Sequence, residues 1–563
     1  MRMIRFFRLA RPTAERQPGR RRFLLLGVVL GIAALVGRGL GAEQTRVTIL
    51  ATTDLHGHID PVDYYTNQPD QTGLAKVAAI VKQARAEAPH LLLLDSGDTI
   101  QGTPLAYFHS RKHNEPPDPT ILAMNAIGYD AMTLGNHEYN FGLAVLEKAR
   151  SEANFPWLSA NTYRVGTDET AFPPYLVKEV DGVRVGILGL TTPAIPNWED
   201  PPNFAGLEFR DPVATAKMWV AVLREREHVD LVVLTVHFGL AYDLATGAVP
   251  PGQFPDENDA LAIARQVPGV DLILMGHTHR EVPALVVNGV LLAQAEKWGS
   301  RVVRADIYFE RSAAGRWQVV AKASRTIPVT EKIAADPEIV RLAEPYDRET
   351  QAWLAQPIGE CARELTATDS RLRDNALLDL IQRVQLEAGR ADVSMAASFN
   401  LDARVHQGPV TVREVYGLYH YENTLVVVEL TGRQIKDALE HSARYFRPYE
   451  PGRTPAELID NKIPGYNFDI AEGVSYEIDL THPFGERIVN LRFQGQPLDP
   501  ERKLRVAINN YRLNGGGGYT MYKTAPIVYR SSAEIRDLVI DWVERHHDIP
   551  TEPDNNWRIL PAP

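Results

Sequence analysis

Short runs of consecutive apolar residues alternate along the chain with stretches in which apolar positions recur every three or four residues. Residues 47–53 form a β-rich run that ends at Asp54, and Leu74, Val77, Ala78, Val81 and Ala84 then follow at helical spacing. Residues 91–94 are apolar throughout and end at Asp95. The alternation predicts a strand near 131–134, a helix near 142–152, and strands at 183–190, 231–236 and 272–275. Short buried strands separated by helices predict an α/β layout. Around 302–309 and 317–323 the period changes to that of a hairpin. Residues 333–356 predict a helix that starts at Asp336-Pro337 and stops before Gln356-Pro357, read as the connection between two domains. Beyond it lies a second α/β region, with helices expected at 375–387, 433–446 and 532–546 and strands at 425–430, 474–480, 488–493 and 504–508. Ser531 and Glu534 have the spacing of a capping box before the last helix, whose Ile535, Leu538, Val539 and Trp542 form its apolar face.

Composition narrows the class. Of 563 residues 44% are apolar and 23% charged, enough for large cores and against general disorder. The net charge is −11, and the first 42 residues hold nine Arg and one Glu, so the remainder carries −19. That balance excludes a general nucleic-acid binder, which needs a basic surface. A lone cysteine, Cys361, excludes an internal disulfide framework and a Cys-rich zinc site. Arg20-Arg21-Arg22-Phe23-Leu24 precedes an apolar run to Val36 and small residues at 37–42. This reads as an export signal over 1–42, similar to the twin-arginine type. The run is short for a membrane anchor of about 20 residues. The expectation is a soluble periplasmic or secreted protein with no stable membrane span after cleavage.

The chemistry sits where the predicted strands end. The first ends in Asp54-Leu55-His56, the next in Ser96-Gly97-Asp98, a third in Gly135-Asn136-His137-Glu138, a fifth in His237, and a sixth in Gly276-His277-Thr278-His279. Ligands of open α/β sheets gather outside the carboxyl ends of strands, so these residues should converge. Taken singly, an Asp-x-His or a Gly-His-x-His is an ordinary structural turn. Five such pieces in order, each at a strand end, point to a site for divalent ions such as Zn, Mn or Fe. The set holds enough ligands for two ions, with Asp98 placed to bridge them. His58, His109, His113 and His420 lack such placement and read as surface or loop histidines.

In the second half, Tyr419-His420-Tyr421-Glu422-Asn423-Thr424, Tyr466-Asn467-Phe468-Asp469 and Asn509-Asn510-Tyr511-Arg512 stand out, the last followed by four glycines at 515–518. The glycine run suggests a tight loop approached closely by a ligand. The tyrosines either offer stacking faces to a base or are core aromatics.

The ordered strand-end set resembles the calcineurin-like metallophosphoesterases. The chain beyond the signal resembles the two-domain 5'-nucleotidase family, nearest its 2',3'-cyclic-nucleotide 2'-phosphodiesterase/3'-nucleotidase branch. The resemblance implies a four-layer α/β/β/α metallophosphoesterase domain over 45–330, a helical linker at 331–358 and an α/β nucleotide-binding domain at 359–556. It implies two divalent metal ions (Zn, Mn, Fe or Co), one held by Asp54, His56, Asp98 and His279, the other by Asp98, Asn136, His237 and His277. His137 would be the catalytic imidazole, Tyr421 and Tyr511 would sandwich a nucleobase, and Asn423 would lie at the base pocket. The implied reaction is in-line displacement at phosphorus, opening a 2',3'-cyclic nucleotide to a 3'-nucleotide and then releasing the nucleoside. The implied partner is a small-molecule nucleotide substrate met by a monomer. Two departures from the 5'-nucleotidase pattern, Asn140 and Gly517 in place of aspartates, favour that branch. A 5'-nucleotidase or UDP-sugar hydrolase and a thiosulfohydrolase are the alternatives on the same frame. An inactive nucleotide-binding module is a further one, and it would predict erosion of the ligand set.

Overall fold

The structure, a computed structural model, describes residues 43–561 except 198, 243–246, 248–255 and 422. The expected export signal lies outside the described residues. Among these, no helix is long and apolar enough to cross a membrane.

Two six-stranded sheets face each other in the first half. In the first sheet the order is Trp317–Pro328, Arg301–Arg311, Gln44–Thr52, Leu92–Asp95, Ala131–Thr133, Trp157–Leu158. In the second it is Glu281–Val287, Val290–Ala295, Leu272–Met275, Leu231–His237, Val183–Thr191, Tyr175–Val180. The central strands of each sheet pair in parallel. Strands covered on both faces lose the in–out alternation of half-exposed ones, which is why Leu231–His237 is buried at every position. The inner faces share one core that includes Val47, Ile49, Leu92 and Leu94 from the first sheet and Ile187, Val233, Leu272 and Leu274 from the second.

Helices Leu74–Glu87 and Pro119–Ile127 cover the outer face of the first sheet, and Pro212–Ala221 and Ala260–Gln266 that of the second. The result is the expected four-layer α/β/β/α stack. Parallel register brings the carboxyl ends to one edge: Thr52 lies beside Asp95, Asp95 beside Met132, and His237 beside Thr191. The Ser96 hydroxyl donates to Leu274 O at 3.2 Å, joining the two sheets at that edge.

The second half is built on a five-stranded sheet, Asp469–Glu472, Val393–Ala397, Lys503–Asn509, Thr424–Thr431, Ile527–Glu534. Helices Ala376–Gly389 and Ile535–His546 pack in its core. A four-stranded sheet ends in the chain's last strand, Trp557–Leu560.

The helix read at 333–356 forms from Pro337 to Leu354, with the Asp336 side chain capping Glu338 N at 3.0 Å. Its start is held by Asp336 N to Ala75 O at 2.7 Å and by Lys82 on the Asp336 carboxylate at 2.5 Å. Its end carries Trp353 against Tyr107 of the first half and Tyr416 of the second. One expectation needs correction: the Ser531/Glu534 capping box before the last helix does not form. Ser531 lies within the strand Ile527–Glu534, and the Glu534 carboxylate is taken by Arg536 at 3.0 Å and Arg111 at 3.4 Å. A buried guanidinium beside a carboxylate outcompetes a backbone amide for it.

Candidate active site

Seven of the predicted side chains meet at the shared strand edge. Asp54, His56 and His279 form one cluster, and Asp98, His237 and His277 form a second, each with ligand atoms within 4.8 Å of one another. Asn136 joins the second through Oδ1, which lies 2.9 Å from His277 Nδ1. Asp98 lies between the clusters, its Oδ2 2.9 Å from His237 Nε2 and 4.0 Å from His56 Nε2.

The backbone beneath these residues is unusual. Asp54, His56, Asp98, His277 and His279 all have φ between 48° and 70°. Left-handed backbone costs a non-glycine residue on the order of 1–3 kcal/mol and concentrates at functional sites. Here it bends each chain sharply off its strand, so the side chains turn back over the sheet edge. Glu138, fully buried, holds the loops in place: its carboxylate accepts from Asp98 N, Thr99 N and Gly135 N at 2.9, 2.6 and 2.6 Å. Gly135 must lack a side chain, since a Cβ there would stand 2.2 Å from Asp98 Oδ1.

The histidines are oriented by the nitrogen that faces away from the centre. His237 Nδ1 donates to Ser96 O at 2.7 Å and His56 Nδ1 to Gln101 O at 3.0 Å. Both therefore present Nε2, with its lone pair, to the centre. His56 Nε2 and His279 Nε2 converge to 3.1 Å. Two imidazole lone pairs repel at that distance unless a cation lies between them, and a tetrahedral ion with metal–nitrogen bonds of about 2.05 Å sets such nitrogens about 3.3 Å apart. His237 Nε2 is buried without a hydrogen-bond partner although Asp98 is beside it. Burial lowers the proton affinity of His237, but the Asp98 carboxylate overrides this and pushes its pKa up to about 10. Burial alone would raise the Asp98 carboxyl, and His237 and His137 instead draw it well below the usual carboxylate range. These donors thus demand positive charge at their centre, and nitrogen–oxygen sets of this kind fit borderline divalent ions.

His137 stands beside the clusters, its ring centroid 5.3 Å from that of His56 and its backbone N donating to Asp98 Oδ1 at 2.8 Å. Its Nδ1 lies 2.6 Å from Asn140 Oδ1, and Asn140 Nδ2 donates to Glu199 Oε2 at 2.8 Å. The carboxylate fixes the amide's direction, so its oxygen faces His137 and Nδ1 carries the proton. Burial raises Glu199 to about 7. Sequence reading missed Glu199, and also Glu257, whose Oε1 lies 3.1 Å from His277 Nε2. Neither sits at a strand end, and no spacing rule singles them out.

The second half comes close to this edge. The Thr424 hydroxyl donates to Asp200 Oδ2 at 2.8 Å, next to Glu199. Tyr466 and Tyr511 both feel the charge of Glu257. Tyr421 is 43% exposed and leans edge-on against Phe399, centroids 5.0 Å apart. The Tyr511 ring lies on the glycine run, where a Cβ on Gly516 would meet it at 2.5 Å. A Cβ on Gly517 would meet Asn467 Oδ1 at 2.3 Å. The close approach expected of a ligand is thus made here by protein side chains. Arg512 braces the same loop through two bonds to Asp469, at 2.7 and 2.8 Å. Asn423 is engaged at both ends of its amide, by Tyr419 OH at 3.3 Å and Asn510 Oδ1 at 3.2 Å. Among the histidines read as surface or loop residues, His109 is buried, with Nε2 lacking a partner.

Fold and edge together define a metal-type phosphoesterase half joined to a nucleotidase-type half. Residues 47–281 match the calcineurin-like phosphoesterase family and residues 354–524 the 5'-nucleotidase C-terminal domain. The chain is 32% identical to the 2',3'-cyclic-nucleotide 2'-phosphodiesterase/3'-nucleotidase of Haemophilus influenzae, across 96% of this chain and 92% of that protein. It is 30% identical to the protein of the same name from Salmonella typhimurium, over 94% and 91%. A solved structure of a putative 5'-nucleotidase from Staphylococcus aureus is 28% identical and superposes with a TM-score of 0.80, over 92% of this chain and all of that one. The chain belongs to the two-domain 5'-nucleotidase family and is a hydrolase acting on phosphate esters.

Proposed function

We propose that the protein is an extracytoplasmic phosphohydrolase that opens 2',3'-cyclic nucleotides to 3'-nucleotides and dephosphorylates 3'-nucleotides to nucleosides. The observation that carries this reading is the convergence of two ligand triads, Asp54/His56/His279 and Asp98/His237/His277, beside one non-ligating imidazole. The names of the relatives at 30–32% identity support the cyclic-nucleotide substrate. The Arg-rich leader followed by an apolar run supports export.

In this reading Asp54, His56, Asp98 and His279 hold one divalent ion and Asp98, Asn136, His237 and His277 the other. When bound, the pair supplies Lewis-acid stabilisation of phosphate charge and a nucleophilic water at neutral pH. The chain's own contribution is orientation. Glu138 fixes the ligand loops, and Ser96 O and Gln101 O fix the tautomers of His237 and His56. His137, with its Nδ1 proton committed to Asn140, directs Nε2 to the oxygen that leaves phosphorus and, as the imidazolium, would donate its Nε2 proton to that oxygen, leaving the neutral ring. Tyr421 and Tyr511 stack on the base, and Asn423 holds the loop between them. A 5'-nucleotidase is the second reading, favoured by the match to the Staphylococcus aureus structure. A substrate panel tests the choice: 2',3'-cyclic AMP, 3'-AMP, 5'-AMP and a UDP-sugar, each with Mn, Co or Zn. The proposal expects the first two to dominate kcat/KM; preference for 5'-AMP would select the second reading.

A further inference from the structure

The second half holds a concentration of like charge remote in sequence from the strand-end centre. Asp374 immediately precedes the helix Ala376–Gly389, whose N-cap is Asn375, and Asp379 lies in the first turn of that helix. Glu472 ends the strand Asp469–Glu472, and Asp554 leads into the final strand Trp557–Leu560. One carboxylate oxygen from each lies within 4.8 Å of the other three. Glu472 is 6% exposed and Asp379 9%. Their Oε1 and Oδ1 atoms are sealed from solvent and meet no hydrogen-bond donor. The largest electrostatic influences on Asp374, Asp379 and Glu472 are burial and one another's charge, joined by Asp554, with no cation among them.

Buried carboxylates in this number do not persist without compensation. Only protons or a cation can supply it. Protonation leaves its mark on the acids: burial drives Asp379 up to about 8 and Glu472 up to about 9. Protonation lets the acids pair, Asp379 with Asp374 and Glu472 with Asp554, but it leaves Asp379 Oδ1 and Glu472 Oε1 buried without a hydrogen-bond partner. The donor set is oxygen only, which excludes the borderline ions suited to imidazole and favours hard cations. Four protein carboxylates suit Ca2+, which takes about six to eight oxygen ligands, better than Mg2+, which keeps several waters and is usually held by one or two carboxylates.

We propose that Asp374, Asp379, Glu472 and Asp554 form a structural Ca2+ site. It ties the final strand, paired in parallel with Val474–Asp479, to the helix and sheet of the second half. The Asn556 amide supports the arrangement, its Nδ2 donating to Ala471 O and Val474 O at 2.8 and 3.0 Å and its backbone N to Asp554 Oδ1 at 3.0 Å. Binding would displace protons from Asp379 and Glu472 and so strengthen as pH rises.

The test uses the full enzyme, loaded with Zn2+, freed of excess metal, and equilibrated with Ca2+. Elemental analysis should find one Ca2+ per chain in the wild type and in Asp98→Ala, and none in Glu472→Gln or in Asp554→Asn, an exposed position whose replacement leaves the core intact. Ca2+ should raise the melting temperature of the wild type by several degrees and leave both variants unmoved, with Mg2+ a poor substitute. If the wild type takes up no Ca2+, or the same amount as the variants, the cluster is an acid–acid pair network and the site does not exist.

Discussion

The ligand loops of the first half and the aromatic loops of the second both follow strand ends, yet they are held in opposite ways. In the first half the backbone does the positioning. Five candidate ligands sit at left-handed φ, one buried carboxylate grips both the 98–99 and the 135 amides, and His237 and His56 each spend the outer nitrogen on a backbone carbonyl. In the second half side chains do the holding: Tyr421 leans on Phe399, Tyr511 on the bare backbone of Gly516, and Arg512 on Asp469. Metal ligation and proton transfer require placement to a fraction of an ångström, and a strained backbone locks that in. The base stacking proposed for the second half would tolerate sliding, and packed aromatic loops would suffice for it.

Variants can break this contrast at either end. The largest effect is expected for Asp98→Ala, which should lose both bound metal and phosphoesterase activity. A variant that keeps two metals per chain by elemental analysis would end the bridging role. His137→Ala should keep its metals and lose kcat by roughly 10²–10⁴-fold, the range for a positioned acid or base; loss of metal would instead make His137 a ligand. Tyr421→Ala and Tyr511→Ala should each lower kcat/KM for 2',3'-cyclic AMP by about 5- to 150-fold, from a stacking loss of roughly 1–3 kcal/mol. Bis-p-nitrophenyl phosphate, which has no base, should be spared. An unchanged ratio of the two activities in folded protein would reduce the tyrosines to core aromatics.

A pH measurement addresses Glu199. Burial raises its carboxyl to about 7 against an ordinary 4.5, so folding favours the protonated form. Its contribution to stability is full below pH 4.5 and is lost as pH rises through 7. Urea unfolding at pH 5 and pH 8 should show the wild type losing stability relative to Glu199→Gln by an amount on the order of 1–3 kcal/mol. A parallel decline in both proteins would place Glu199 outside the titration. The smallest effect belongs to Ser531→Ala. With no cap to remove, it should shift stability by less than about 0.5 kcal/mol, and a loss near 1 kcal/mol would restore the capping box.

What the sequence revealed follows the same division. Asp54, Asp98, Asn136, His237 and His277 could be read because fully apolar strands announce their own ends, and the ligand follows within a few residues. The inner layers of the first half were legible for that reason. The strand Val393–Ala397, the edge strand Ile527–Glu534 and the final strand Trp557–Leu560 were not, because they are short or partly exposed and carry no such marker. Ser531 and Glu534 had the right spacing for a cap, but Arg536 and Arg111, brought in by tertiary packing, claimed the carboxylate. Glu199 and Glu257 reach the site from loops, where period carries no information.

The strand Gln44–Thr52 is flanked by Leu92–Asp95 on one side and by Arg301–Arg311 on the other, and its Thr48 hydroxyl bonds Asp306 at 2.7 Å. During synthesis the first sheet therefore waits for its antiparallel neighbour until residue 311 has left the ribosome, and the ligand set waits for His279. At about 5–20 residues per second, the delay after the first strand emerges is roughly 13–50 s. Until His279 emerges, Asp54 and His56 lack one member of their cluster, so the nascent chain cannot capture an ion in the arrangement proposed for it. On the proposed metal reading, selection of the ion can therefore begin only after about half of the 563-residue chain has emerged, in whichever compartment that half first folds.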